Sequence, residues 1–292
     1  MAASSQVVGS VVSLWRYPVK SMLGEELNAS EVTLRGLLGD RAYALVDRTT
    51  GMVASAKNPR AWPRMFDFRA ALAETPRLGA PLPPVRITLP DGTVLSSTQA
   101  DLNQLISQAI ERPVTLEAAD GSRADGSQPQ GVSAGAPSGP GRSAEAYWPD
   151  IEGLIGRDAV TDFEFPEGTF FDGAVVHLLT TATLGRLQEL YPQGRFEVRR
   201  FRPNIVVATA SGATEFTEND WVGHTLALGA DVRLRIDSPC KRCVMTTLPQ
   251  GDLPRDMGIL RTAAERNRAS VGVNVTVERG GLVRRGDAVS LQ

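Results

Sequence analysis

Short apolar runs broken by Gly, Pro and Asp turns recur along the whole chain, and this punctuation admits few folds other than a strand-rich one. Val7 to Trp15 is rich in Val, Ser, Leu and Trp and stops at Pro18. Ala42 to Asp47 and Met52 to Ser55 flank Arg48-Thr49-Thr50-Gly51, a hairpin signal. Val85 to Leu89 and Thr93 to Ser96 flank Pro90-Asp91-Gly92, a second one with the Asp-Gly turn dipeptide. Further strands are read at Val175 to Leu179, Ile205 to Ala208, Leu226 to Leu228, Val232 to Ile236, Val271 to Val277 and Ala288 to Leu291. Helical spacing is clear at Leu102, Leu105, Ile106, Ala109 and Ile110, with Asp101 as N-cap and Pro113 as stop. A shorter helix is marked by Leu184, Leu187 and Leu190, capped by Thr180, Thr181 or Thr183 and ended by Pro192. Leu253 to Arg268 carries a fainter helical pattern. Many short strands with Gly-rich turns and few helices predict a mainly β fold with some α, closed as a barrel or strongly curved.

Asp120 to Arg142 differs in character, being Gly, Ser, Pro, Ala and Gln with almost no large apolar side chain. Such a segment cannot bury enough surface to offset its ordering entropy, so it reads as a flexible loop. It divides the 292 residues into a first part, 1–119, a loop, 120–145, and a second part, 146–292. Each part is long enough to bury a core of its own. No internal repeat is found.

The formal net charge of -2 gives no basic field for nucleic acid. No apolar run approaches the roughly 20 residues that span a bilayer. Met1 to Ser10 lacks both a basic n-region and a continuous apolar stretch, so the expected compartment is the cytosol. The chain also has no Walker-type loop, dinucleotide fingerprint, Gly-x-Ser-x-Gly elbow or His-Glu-x-x-His. Readings based on NAD, pyridoxal phosphate, ATP or a hydrolase triad therefore lack their usual support.

Two cysteines cannot build a disulfide framework, and they sit together in Cys240-Lys241-Arg242-Cys243. The cations between them favour thiolate, the form that attacks or binds metal. Four readings compete: a thioredoxin-like disulfide, a zinc site completed by His177 and His224, inert core thiols, and a single thiolate on a soft metal. The first wants a strand-to-helix position, whereas Val244 to Pro249 reads as extended; spacing alone does not decide among the rest. Arg199-Arg200-Phe201-Arg202-Pro203-Asn204 would make a rigid cationic edge before a strand, or a solvated charge run. Lys20, Ser21 and Arg41 offer donors near strand ends, or are polar turn residues. His177, on an apolar strand, reads as a satisfied structural histidine, and His224 as a turn residue.

Taken in order, Tyr17-Pro18-Val19-Lys20-Ser21, Gly36 to Arg41, His177 to Leu184, Phe201 to Ile205, Cys240 to Thr247 and Gly281 to Leu291 resemble the MOSC superfamily. They look most like its two-part members related to the amidoxime-reducing components. The resemblance covers nearly the whole chain and implies an α+β, mainly β, two-part architecture: an N-terminal β-barrel domain packed on a MOSC β-barrel. It further implies a molybdenum cofactor (molybdopterin) with Cys243 as metal ligand, and Lys20, Ser21, Arg41, Thr181, Arg202, Asn204 and Arg242 around its phosphate and pterin. The activity implied is reduction of N-hydroxylated small molecules, with a separate flavin or iron–sulfur protein as electron donor. With no further cysteines after Cys243 and no apolar leader, neither a fused iron–sulfur domain nor a membrane anchor is expected. The alternatives are a carrier of sulfur or cofactor without turnover, and a zinc-binding structural module.

Overall fold

The computed structural model describes residues 6–119, 142–154, 156–166, 169–210 and 215–292. The first part contains strands β1 (Gln6–Arg16), β2 (Glu25–Leu27), β3 (Ala29–Thr33), β4 (Gly36–Leu37) and β5 (Tyr43–Asp47). It continues with β6 (Arg69–Leu72), β7 (Val85–Thr88), β8 (Val94–Ser96), helix α1 (Leu102–Ile110) and β9 (Val114–Ala118). The hairpin of β10 (Ser143–Trp148) and β11 (Ala159–Glu164) follows. Next come β12 (Val176–Thr180), α2 (Thr181–Leu190), α3 (Val198–Phe201), β13 (Ile205–Thr209), β14 (Thr225–Leu228) and β15 (Val232–Lys241). The chain ends with α4 (Met257–Asn267), β16 (Ser270–Arg279), β17 (Gly281–Arg284) and β18 (Ala288–Leu291).

Seven strands close into a barrel in the order β1-β13-β12-β16-β15-β14-β18, with β18 returning to β1. All neighbours are antiparallel except β12 and β13, which are parallel and joined through α2 and α3. A parallel pair needs such a crossover because a tight turn only reverses the chain. The closing strand β1 comes from the first part of the chain, so the later part is not a barrel by itself. Alternation fills the interior with Val176 and Leu178 of β12 and Val273, Val275 and Val277 of β16, and a bulge between Val11 and Ser13 lets Val11 and Leu14 of β1 join the same buried core. Residues of opposite parity face outward, and Leu179 on that outer side packs beneath α2 and α4 with Leu187 and Ile259.

The second core belongs to the first part and is built on β5–β9, the sheet β6-β7-β8 and α1. It contains Leu45, Phe68, Ile87, Leu102, Ile106 and Leu116. It is completed by Val244, Met245 and Leu248 from far along the sequence. The molecule is thus mostly strands with a few helices, as expected.

Several local expectations need correction. The strand expected to end at Ile236 runs on to Lys241, so Cys240 lies on β15 and not in a turn. Val244–Thr247, read as extended, is a 3-10 helix with Cys243 as its N-cap residue. Asp101 precedes α1 but makes no capping bond, whereas the Thr180 hydroxyl caps α2 by accepting from Thr183 N–H. Met52 to Ser55 contributes only an isolated bridge, Val53 to Val46. Most of the predicted loop, residues 120–141, lies outside the described residues, and β10 begins at Ser143. Among the described residues no helix is long and apolar enough to cross a membrane.

Candidate functional site

A cavity of about 580 Å³ lies where the outer side of the barrel meets the first part of the chain. Its walls carry six cations, Lys20, Arg41, Lys57, Arg202, Lys241 and Arg242, against one carboxylate, Asp172. Both cysteines and His177 line the same space.

Local folding explains how segments so distant converge. After β1, the stretch from Tyr17 to Lys20 runs beside Arg41 to Tyr43: Arg41 N–H donates to Tyr17 O at 2.9 Å, and Lys20 N–H to Tyr43 O at 2.8 Å. Buried Asp40 fastens this arrangement by accepting from Tyr17 N–H at 2.7 Å and from Asn204 Nδ2 at 2.9 Å. Asn204 also donates to Trp15 O, while its Oδ1 accepts from His177 N–H at 3.1 Å. Arg41 and Arg202 both occupy left-handed backbone conformations, with φ of 47° and 53°. This turns their guanidinium groups onto the ring of Tyr17, at 4.5 and 4.1 Å from its centroid.

The cations differ in how well they are compensated. Arg202 is buried, donates to Met22 O at 2.6 Å, and has its pKa pulled down to about 10 by burial first and by Arg41 second. Lys20 donates to Phe170 O and Asp172, yet burial still lowers it to about 8. Lys57, which shares Asp172 with Lys20 and sits over the ring of Phe163 at 4.3 Å, is raised because that pairing outweighs its burial. Burial would raise the Asp172 carboxyl, but the two lysines hold it well below the usual carboxylate range. These directions agree once the stoichiometry is considered: one carboxylate gains two cations, while each cation gains half a carboxylate.

The thiols are unequal too. Burial would raise the Cys240 thiol, but His177 and Arg242 outweigh it and bring its pKa down to about 6. Arg242 Nη1 reaches the Cys240 sulfur at 3.0 Å and its Nη2 donates to Phe201 O at 2.7 Å, leaving Nε buried with no partner. Cys243, half-buried, packs against the first part's core at the start of the 3-10 helix. Both cysteines are free thiols.

Of the residues expected at the site, Lys20, Arg41, Arg202, Arg242 and Cys243 come together in the cavity. Ser21 does not line it: its hydroxyl accepts from Ala56 N–H at 3.1 Å, in a left-handed turn with φ of 63°. Thr181 is exposed on the first turn of α2, and Asn204 acts behind the wall as a bracket. Lys57 and Asp172 were missed because each stands in a short polar turn with no motif of its own. The sign of Asp40 was present in Gly39-Asp40-Arg41, between two residues with positive φ. Among the described residues no group of three His, Cys, Asp or Glu side chains is placed to hold a metal ion, and His224 does not line the cavity with the cysteines and His177.

The molecule is thus a closed barrel with a cationic cavity on its outer side, lined by both thiols. Residues 8–121 match the MOSC N-terminal beta barrel domain, and residues 166–290 match the MOSC domain. The chain therefore belongs to the MOSC superfamily, in its two-domain form. The mitochondrial amidoxime-reducing component 1 of Homo sapiens is 27% identical over 266 residues, covering 83% of this chain and 67% of the relative. Its counterpart in Mus musculus is 26% identical over 257 residues, covering 83% and 66%. The chain thus spans about two thirds of the length of these relatives. Among solved structures, the YuaD protein of Bacillus subtilis aligns with a TM-score of 0.45 at 10% identity, covering 97% of this chain and 95% of that one.

Proposed function

We propose that the cavity binds a molybdopterin-type molybdenum cofactor, with Cys243 as the metal's protein ligand, and that the protein reduces N-hydroxylated small molecules such as amidoximes and hydroxylamines. The observation that carries this reading is the convergence of six cations and two thiols around a single carboxylate. The residues present fit such a group. Lys20 and Arg202 are buried cations without full compensation, and Arg242 Nε is buried and unpartnered. A phosphate dianion supplies what all three lack, and Arg forks suit its oxygens. The names of the relatives, amidoxime-reducing components, support the same chemistry.

When bound, a cofactor of this kind supplies a two-electron redox centre and a Lewis-acidic metal. The chain's own residues supply the rest. Cys243 offers a soft sulfur donor. Lys20, Arg41, Lys57 and Arg202 would take the phosphate oxygens, and Arg242 would bridge toward the thiols. Phe170 and Phe171, both buried, close one wall against water. Electrons would be delivered by a separate flavin or iron–sulfur protein.

The test is metal and pterin analysis of protein made in a cofactor-competent host, together with benzamidoxime reduction driven by an artificial electron donor. Stoichiometric molybdenum and turnover are expected, with Cys243→Ser lowering kcat at least about 100-fold through loss of the metal's protein ligand. Bound molybdenum without turnover by any donor would favour a carrier instead. Activity unaffected by Cys243→Ser, in a preparation without molybdenum, would end the proposal.

A further inference from the structure

Beside Arg242, Cys240 and His177 form a pair on the cavity wall that cofactor binding alone does not require. The placement is deliberate in the backbone. His177 and Leu179 share the outward parity of β12, so the imidazole faces the cavity while Val176 and Leu178 fill the barrel. β12 pairs with β16 and β16 with β15, which puts Gly272 of β16 between His177 and Cys240. Gly272 has φ of 76°, and a Cβ built there would lie 2.3 Å from His177 Nε2 and 2.5 Å from Leu178 O. Only glycine leaves the imidazole room to reach across the strand. The ring Nε2 lies 3.0 Å from Val271 O, and since a carbonyl only accepts, Nε2 carries a proton. The His177 ring also lines the cavity with Cys240, close enough to lower the pKa of its thiol.

Resting on the function proposed above, we infer that Cys240 and His177 act as a thiol–imidazole pair that donates the proton required when the substrate N–O bond is reduced. Reduction of an N-hydroxyl group consumes two electrons and two protons and yields N–H and water. The N–O bond breaks; the hydroxyl oxygen takes one proton from the pair and leaves as water. The nitrogen takes the two electrons that the donor protein supplies, and a proton from solvent. The pair then regains its proton from water through the side where Cys240 is half-exposed. Asp172 cannot fill this role, because its two lysines keep it ionised. The other charged groups around the cavity, Lys20, Arg41, Lys57, Arg202 and Lys241 with Arg242, form a positive field that favours thiolate over thiol. In the free protein burial would raise Cys240, but the adjacent His177 and Arg242 outweigh it and bring it to about 6, near the working range of a proton donor at neutral pH.

Two readouts test the inference, one independent of the cofactor. In Cys243→Ser protein Cys240 is the sole thiol, and thiolate absorbance is expected to titrate with a midpoint near pH 6. Adding His177→Gln should move that midpoint up by about one pH unit or more. In loaded enzyme, Cys240→Ser and His177→Gln should each lower kcat for benzamidoxime about 100-fold, the usual scale for a lost general acid, with KM and molybdenum content unchanged and one limb of the kcat–pH profile lost. An active wild type whose Cys240→Ser form matches it in kcat and pH profile overturns the inference alone. Molybdenum lost in proportion to activity also overturns it, making Cys240 a cofactor-holding residue. A wild type that holds molybdenum and reduces no N-hydroxyl compound overturns the function and the inference together.

Discussion

Lys20 and Asp172 show how the site stores an unmet electrostatic demand. Lys20 is buried and shares its carboxylate with Lys57, so its pKa falls to about 8 while an unfolded lysine titrates near 10.4. Below pH 8 both states carry the proton, and the folded state bears the full cost of the buried cation. Between about 8 and 10 the unfolded chain binds more protons than the native one, so stability rises with pH in this window. The gain is bounded by the shift at up to ~3 kcal/mol. Above about 10 the buried Tyr17 hydroxyl, held well above its ordinary range chiefly by burial, opposes the trend. Urea denaturation of cofactor-free protein from pH 7.5 to 10 should show this rise, and Lys20→Met should flatten it. Parallel curves for the two proteins would remove Lys20 as the source. Bound phosphate should flatten the rise, because it holds on Lys20 the proton that the free protein sheds in this window.

At the scale of elements, the four-residue helix α3 and its C-cap residue divide three arginines among three tasks. Arg199 is half-buried and pairs with Glu197 and Asp252, while Arg202 faces the cavity. Arg200 is fully buried and donates to four carbonyls, those of Arg195, Thr246, Leu248 and Pro254, at 2.8 to 3.3 Å. Two of these belong to the 3-10 helix after Cys243 and the residue that ends it, so Arg200 clamps the segment that presents the sulfur. Its removal leaves four carbonyls without a donor. Arg200→Met should cost about 2–4 kcal/mol in denaturation experiments, and Arg200→Lys about half as much, since an ammonium keeps the charge but not the planar fork. A loss under about 1 kcal/mol for Arg200→Met would show that water takes over the carbonyls. The sequence revealed this stretch as a cationic edge but not its division of labour, because three of the four carbonyls that hold Arg200 lie 46 to 54 residues away. Val244 to Leu248 was opaque for a related reason. Its apolar residues enter the first part's core, and over four residues a 3-10 turn buried on that side has no period distinguishing it from a strand.

At the scale of the whole molecule, the strand pattern, a barrel and the cationic segments could be read from sequence, whereas the strand that closes the barrel could not. The apolar run Val7 to Trp15 marks a strand, but not the bulge between Val11 and Ser13 that turns Val11 and Leu14 to one inward face, nor which strands lie beside it. Those neighbours are β13 and β18, near opposite ends of the later half. Their pairing makes the first strand of the chain the last stave of the barrel. Without β1, β13 and β18 each expose a row of unpaired N–H and C=O groups, and the interior opens along one side. The register offers a direct test, since Gln6 pairs with Leu291 in antiparallel sense. The start of β1 therefore lies beside the end of β18, where a short hairpin turn can join them. Deleting residues 1–16 should abolish cooperative unfolding and leave aggregated protein. Moving 6–16 to follow Gln292 through a turn of a few residues should restore a single cooperative transition, because every barrel pairing is regained and only a covalent connection moves. If the deleted chain unfolds cooperatively with unchanged midpoint, β1 is a passenger on an already closed sheet; if the transplanted strand fails to restore the transition, the link from Arg16 into the Tyr17–Lys20 wall of the cavity is what the fold requires.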